Sequence, residues 1–187
     1  MHKTRCDWGT QDPLYLAYHD KEWGVPLYDD HKLFEFLILE GMQAGLSWIT
    51  VLKKREAFQK AFLDFNAKKI IQFTASDIER LMQNKAIIRN RRKIEAVITN
   101  ANAFLDVKRQ ISFSDFLWQF VGGVPLQNHR NTMHDIPAHT EISDAMAKAL
   151  KQKGFKFVGT TICYAFMQAT GMVNDHLTSC YRYQVLK

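Results

Sequence analysis

Residues 76–106 read SDIERLMQNKAIIRNRRKIEAVITNANAFLD. Ser76-Asp77-Ile78-Glu79 fits the capping-box pattern and predicts a helix start. A break over 84–90 separates that helix from a long one over 91–106. In the latter Ile94, Val97, Ile98, Ala101 and Leu105 form one apolar stripe. The same design extends to both sides. Leu33, Phe34, Leu37, Ile38 and Met42 recur at helical spacing from Asp30 to Gln43, and Gly41 and Gly45 mark the decay into a turn. Ser47 is placed to cap a helix over 48–63, and Asn66 a short one over 67–73. Ser114 or Asp115 opens an aromatic-rich helix that Gly122-Gly123 ends. Residues 122–140 read as an irregular loop. Ser143 caps a helix to Lys153, and a last helix spans 160–170 before Gly171. Asp12-Pro13 reads as a turn, and no alternating strand pattern of useful length occurs. The expected fold is all-α: a compact helical bundle with a helix–hairpin–helix element, one domain over 1–187.

Composition narrows the classes of function. The chain has 187 residues, 47% hydrophobic and 24% charged, which is globular usage. It holds no apolar run of membrane-spanning length, and MHKTRCDWGTQDP lacks the apolar stretch of a signal peptide. Three cysteines argue against a disulfide framework and for a reducing compartment, the cytoplasm. The net charge of +6 is uneven: residues 1–50 carry four Lys/Arg against eight Asp/Glu, whereas 51–110 carry fourteen against six. A clustered basic block is either a nucleic-acid footprint or a solvated helical face.

Several residue sets could carry chemistry. Cys6 and His19 near one end, with His176 and Cys180 near the other, make the Cys2His2 mixture that tetrahedral zinc prefers. A metal there would clip the two termini together; alternatively, the cysteines are small hydrophobes and the histidines surface residues. Cys163 sits in an apolar helix and reads as core. Trp8, Tyr15, Tyr18 and Trp23 crowd one short stretch, forming either a slot for a flat ligand or a satellite cluster under a loop. Glu40 follows Phe36-Leu37-Ile38-Leu39 at a helix C-terminal end, where both burial and the helix dipole disfavour its charge. It either has a partner or a task there, or bends out to solvent. Gly45-Leu46 pairs a permissive backbone with an apolar side chain, as in the wedges of DNA-kinking proteins. Arg89, Arg91, Arg92 and Lys93 at a helix start form a candidate phosphate grip.

Cys6-Asp7-Trp8, Asp12-Pro13-Leu14-Tyr15, Tyr18-His19-Asp20, Glu22-Trp23-Gly24-Val25-Pro26, Leu39-Glu40-Gly41, the run from Gln43 to Leu52, the run from Lys153 to Gly159, and Asn174-Asp175-His176 together resemble the 3-methyladenine-DNA glycosylase I family. The resemblance covers roughly residues 6–180. It implies an all-helical, monomeric relative of the helix–hairpin–helix glycosylases that flips 3-methyladenine from alkylated double-stranded DNA and cleaves its N-glycosidic bond, leaving an abasic site uncut. It implies one structural zinc held by Cys6, His19, His176 and Cys180. It makes Glu40 the base-recognising catalytic carboxylate, with Tyr18, Trp48 and Trp8 as pocket walls, Tyr15 and Trp23 in the lining, and Gly45 and Leu46 probing the duplex. The basic hairpin lacks the glycines expected of the family. A non-catalytic, zinc-stabilised DNA-binding module that senses damaged bases would share most of these features.

Overall fold

The computed structural model describes residues 3–9 and 12–187. Its chain is mostly helical. The helices are α1 (Pro13–Lys21), α2 (Asp30–Gln43), α3 (Trp48–Leu52), α4 (Arg55–Ala61), α5 (Ala67–Ile70), α6 (Ala75–Gln83), α7 (Arg91–Lys108), α8 (Phe113–Trp118), α9 (Glu141–Gln152), α10 (Thr160–Ala169) and α11 (Tyr181–Val185). Among the described residues, no helix is long and apolar enough to cross a membrane.

The central element is α2, buried without a gap from Leu33 to Met42. A helix whose residues are buried on every side must be covered on every side. α3, α7, α8 and α10 do this, with Phe34 stacked on Phe104 of α7 at 4.6 Å. α7 ends where α8 packs back, and Phe113 meets Phe104 and Phe155 at 4.9 and 5.7 Å.

Several boundaries differ from the sequence expectation, each for a local reason. Asp12-Pro13 starts a helix rather than a turn: the Asp12 carboxylate accepts from Leu14 N–H at 2.9 Å, and Pro13 occupies the first helical position. The expected helix over 48–63 is divided into α3 and α4. The chain then turns through Leu63, Asp64 and Phe65, all with φ near +54°. Thr74, not Ser76, caps α6, in a reciprocal box with Asp77. Ser143 is likewise the return partner of the true cap, Thr140, rather than the cap itself. Ser112 caps α8. Asn66 caps α5 as expected.

The loop over 122–140 contains a strand of two residues. β1 (Leu126–Gln127) pairs in parallel with β2 (Val173–Asn174), and an Arg130–Leu177 bridge extends the ladder. This short pairing ties the loop to the C-terminal segment. Gly171, which leads into β2, has φ +70°, and a Cβ there would lie 2.4 Å from Pro26 N. Only glycine lets the end of α10 approach the 24–27 segment so closely.

Candidate functional site

Tyr15 and Tyr18 stand one turn apart on α1, so they share a face. Trp8 closes on Tyr15 at 4.8 Å and meets Trp23 edge-on at 5.0 Å, while Tyr18 faces Trp48 at 5.4 Å. These rings enclose a cavity of about 210 Å³ that also has Glu40, Gln43, Met133, Ile136, Ala165 and Gln168 in its wall. The aromatic cluster is therefore a slot rather than a satellite under a loop.

Glu40 is the one carboxyl among the described residues of this lining. It is 2% exposed, and its Oε2 has no hydrogen-bond partner among the described residues. Burial pushes its carboxyl up to about 8. The indole N–H of Trp48, in the same wall, is also buried and has no partner among the described residues. An unmet acceptor and an unmet donor in one cavity are costly unless something else meets them.

Immediately behind this aromatic layer, Cys6, His19, His176 and Cys180 are all buried and bring their ligand atoms within 4.8 Å of one another. Cys180 Sγ lies 3.6 Å from both His19 Nε2 and His176 Nδ1, and Cys6 Sγ lies 3.6 Å from His176 Nδ1. A tetrahedral ion with about 2.3 Å bonds to sulfur and about 2.0–2.1 Å bonds to nitrogen sets a sulfur–nitrogen edge of about 3.6 Å. The donor set thus fits a divalent soft or borderline metal. The other ring nitrogens are held as ligand histidines usually are: His19 Nδ1 against Asp20 at 2.9 Å, and His176 Nε2 against the Trp23 carbonyl at 3.1 Å. Arg5 in turn clamps Asp20. His176 also packs edge-on against Trp23 at 4.5 Å, and His19 against Trp8 at 5.2 Å. Two residues of the Cys2His2 set, His176 and His19, therefore back two walls of the slot.

Beside the slot, α2 ends in a turn where Gly45 takes φ +78° and Leu46 is exposed. Open space surrounds the position of a Gly45 Cβ, so conformation and not crowding calls for glycine. Lys93, expected on the phosphate-binding surface, is turned inward instead. Its ammonium donates to the carbonyls of Met42 and Ala44 at 2.8 and 2.6 Å, closing the C-terminal end of α2. A cation is favoured at that end of a helix dipole. Arg89, Arg91 and Arg92 are exposed, although Arg91 makes a two-pronged pair with Glu79 at 2.7 and 2.8 Å. Asn90 caps α7.

A second helical hairpin, α9 to α10, holds the glycines that the 84–90 break lacks. Gly154 has φ +93°, and Gly159 begins α10 with no side-chain cap over its first N–H groups. Asn100 of α7 fixes this hairpin by a paired amide bond to Lys156, donating to its carbonyl at 3.1 Å and accepting from its N–H at 2.7 Å. Phe157 rests on Gly41, next to Glu40, where a Cβ would sit 3.3 Å from its own.

The slot residues expected from sequence, Trp8, Tyr15, Tyr18, Trp23, Glu40 and Trp48, converge on one cavity. Sequence reasoning missed Gln43, Met133, Ile136, Ala165 and Gln168. Of these, Gln43 carried a signal as the start of the run that resembles the family, and Gln168 as the polar residue near the end of TTICYAFMQA. Met133 and Ile136 come from the loop and carried none.

The sequence pattern of the family described as methyladenine glycosylase matches residues 8–183. The chain is 55% identical over 180 residues to DNA-3-methyladenine glycosylase 1 of Escherichia coli K12, covering 96% of each protein. It is 52% identical to DNA-3-methyladenine glycosylase of Haemophilus influenzae, covering 95% of this chain and 96% of that protein. A crystal structure of 3-methyladenine DNA glycosylase I superposes with a TM-score of 0.93 at 57% identity, over 95% of this chain and 98% of the other. A structure of the enzyme from Staphylococcus aureus, solved for the basis of its 3-methyladenine recognition, superposes with a TM-score of 0.92 at 43% identity, over 95% of each chain.

Proposed function

The chain belongs to the methyladenine glycosylase family, and from that membership and the slot we propose that it is a DNA-3-methyladenine glycosylase. In this reading it flips 3-methyladenine out of alkylated double-stranded DNA, hydrolyses the N-glycosidic bond and leaves an abasic site without cutting the strand. The observation that carries the reading is Glu40: a carboxyl buried among aromatic rings, with an oxygen that none of the described residues satisfies.

The chemistry follows from charge. Methylation at N3 gives the base a formal positive charge in DNA. When the C1′–N9 bond breaks, its electron pair goes to the ring and the base leaves neutral. A water molecule adds to C1′ and loses a proton. The aromatic faces of Trp8, Tyr18 and Trp48 stack on the ring and attract its cationic form. Glu40 accepts from the adenine amino group, and its ionised form adds attraction that unmethylated adenine cannot return. Leaving-group activation is built into the lesion, so selection and orientation carry most of the protein's task.

Outside the slot, Gly45 and Leu46 serve as the probe at the duplex, and Arg89, Arg91 and Arg92 contact phosphates. The hairpin from Gly154 to Gly159 adds open backbone N–H groups on the side where Phe157 touches Gly41. Lys93 acts from within, holding the turn that presents Leu46. Zinc is the metal proposed for Cys6, His19, His176 and Cys180. With four protein ligands the site is structural, and it leaves no open position for substrate. The protein acts as a monomer in the cytoplasm, where its thiols stay reduced.

The primary test incubates the protein with methylated duplex DNA and identifies what is released. Free 3-methyladenine is expected, with the strand intact until alkali cleaves the abasic site; release of no base overturns the reading. Metal analysis of exhaustively dialysed protein is expected to give one zinc per chain. Stripping that zinc under denaturing conditions should prevent refolding and, because His19 and His176 back the slot, abolish 3-methyladenine binding as well.

A further inference from the structure

Glu40 is not the only polar group of the slot whose orientation the fold dictates. Gln168, on α10, lines the same cavity. Its Nε2 donates to Asp175 Oδ2 at 2.8 Å. Asp175 is almost fully buried and accepts three further hydrogen bonds: from Asn128 Nδ2 at 2.8 Å, Arg130 Nε at 3.1 Å and Tyr164 OH at 2.6 Å.

Both Asp175 oxygens already accept from N–H and O–H donors, so Asp175 meets the amino half of the Gln168 amide. The amide cannot flip without facing carbonyl oxygen against carboxylate oxygen. Its Oε1 is therefore directed away from Asp175, and the side-chain hydrogen bond that Gln168 makes among the described residues is the one from Nε2. Asp175, which is not among the residues lining the slot, thus sets the orientation of the amide of one that is.

We propose that Gln168, oriented by Asp175, is a specificity-determining residue that selects a 6-aminopurine by presenting a fixed carbonyl acceptor to the exocyclic amino group of the flipped base. The proposal rests on the glycosylase reading. A purine with an amino group at C6 has two N–H donors there, enough for both Glu40 and Gln168. A purine with a carbonyl at C6, such as 3-methylguanine, would bring oxygen against oxygen. Sites that hydrogen-bond a substrate group discriminate strongly against its replacement, because the buried partner is left unpaired. Asp175 is a positioning residue in this scheme, and its buried network is what denies Gln168 the alternative orientation.

The experiment compares wild type with Gln168→Met, which keeps the length of the side chain and removes the acceptor. Both are given the same methylated DNA, and single-turnover release of 3-methyladenine and 3-methylguanine is measured. The variant is expected to release 3-methyladenine about tenfold more slowly, while 3-methylguanine release is unchanged or faster, so the ratio of the two falls by tenfold or more. Equal slowing of both bases, or an unchanged ratio, would overturn the proposal, because a residue that only shapes the slot moves both. Gln168→Ala removes the same acceptor and introduces no bulk, and it decides the matter if the methionine variant does not fold. Failure of wild type to release any base would instead overturn the glycosylase reading, and this inference with it.

Discussion

Glu35 and Glu40 stand five residues apart on α2 and are equally hidden, at 1% and 2% exposed. One is fully answered and the other is not. Glu35 accepts from Arg55 Nε at 2.8 Å and Gln59 Nε2 at 2.9 Å, with Lys32 at 3.6 Å. Burial alone would raise its carboxyl, but the Arg55 hydrogen bond and charge outweigh burial and hold it below the usual range. Glu40 has burial without an answering cation, and it moves the opposite way, up to about 8. The two show how to separate a structural acid from a functional one on a single helix. The structural acid has its partner within the protein, whereas in the proposed reading the partner of Glu40 arrives with the substrate.

The largest effect should come from breaking the answered acid. Glu35→Ala leaves Arg55 half-buried, with only Glu22 at 2.5 Å and the face of Phe36 for company. We expect a loss of about 3 kcal/mol in unfolding free energy, measured by urea titration, with base release per folded molecule little changed. A stability loss below about 1 kcal/mol would show that the Glu35 pair is dispensable.

The second test reverses the pattern. Glu40→Gln keeps the shape and removes a carboxyl that the fold does not satisfy. Excision of 3-methyladenine should fall tenfold or more, or at least about 1.4 kcal/mol, with overall DNA affinity nearly unchanged. Stability at pH 8 should be equal to wild type or higher. Wild-type excision in this variant would leave the aromatic rings as sole selectors. A stability loss as large as that of Glu35→Ala would erase the distinction between the two acids.

The contrast also explains what could be read from the sequence. The apolar run before Glu40 signalled its burial, and the crowding of Trp8, Tyr15, Tyr18 and Trp23 signalled the slot, because both are local facts. The helices were legible wherever apolar spacing was regular, as in α2 and α7. α1 was not, since its Tyr, His and Asp residues give no apolar stripe and its start depends on a single cap at Asp12. Lys93 looked like its basic neighbours, and only the tertiary approach of α7 to the end of α2 shows that its ammonium is occupied. The β1–β2 pair joins residues 47 apart, since Leu126 faces Val173, and Met133 and Ile136 reach the slot wall from a loop that has no apolar period. No window of sequence contains such pairings. Ser143 is three residues past its cap because a box has two polar ends and composition does not say which is the cap, whereas Ser76 lies inside the Thr74–Asp77 box as one more polar residue of the first turn.

The smallest effect, per unit of pH, is the most specific to the comparison. A carboxyl whose folded value is raised above its unfolded value near 4.5 favours the folded state most when protonated, so its contribution is complete at low pH. That contribution is lost progressively as pH climbs from about 4.5 towards 8. Glu35 has the opposite sign: its contribution is present above the ordinary carboxylate range and disappears only as pH falls through its lowered value. Between pH 5 and 8 only the Glu40 contribution should therefore change. The stability of wild type relative to Glu40→Gln should decline by at most about 1.4 kcal/mol per pH unit and level off above about 8. Excision should move the other way over the same interval, since the ionised carboxylate is the form that attracts a cationic base. The second-order rate constant should rise with pH, bend where the stability difference levels off, and lose this dependence in Glu40→Gln. Two observables with opposite slopes and a shared bend would assign both to one proton. An excision rate that instead falls above pH 8 would mean that the protonated carboxyl is the working form, and Glu40 would then be a proton donor to the departing base rather than a counter-charge.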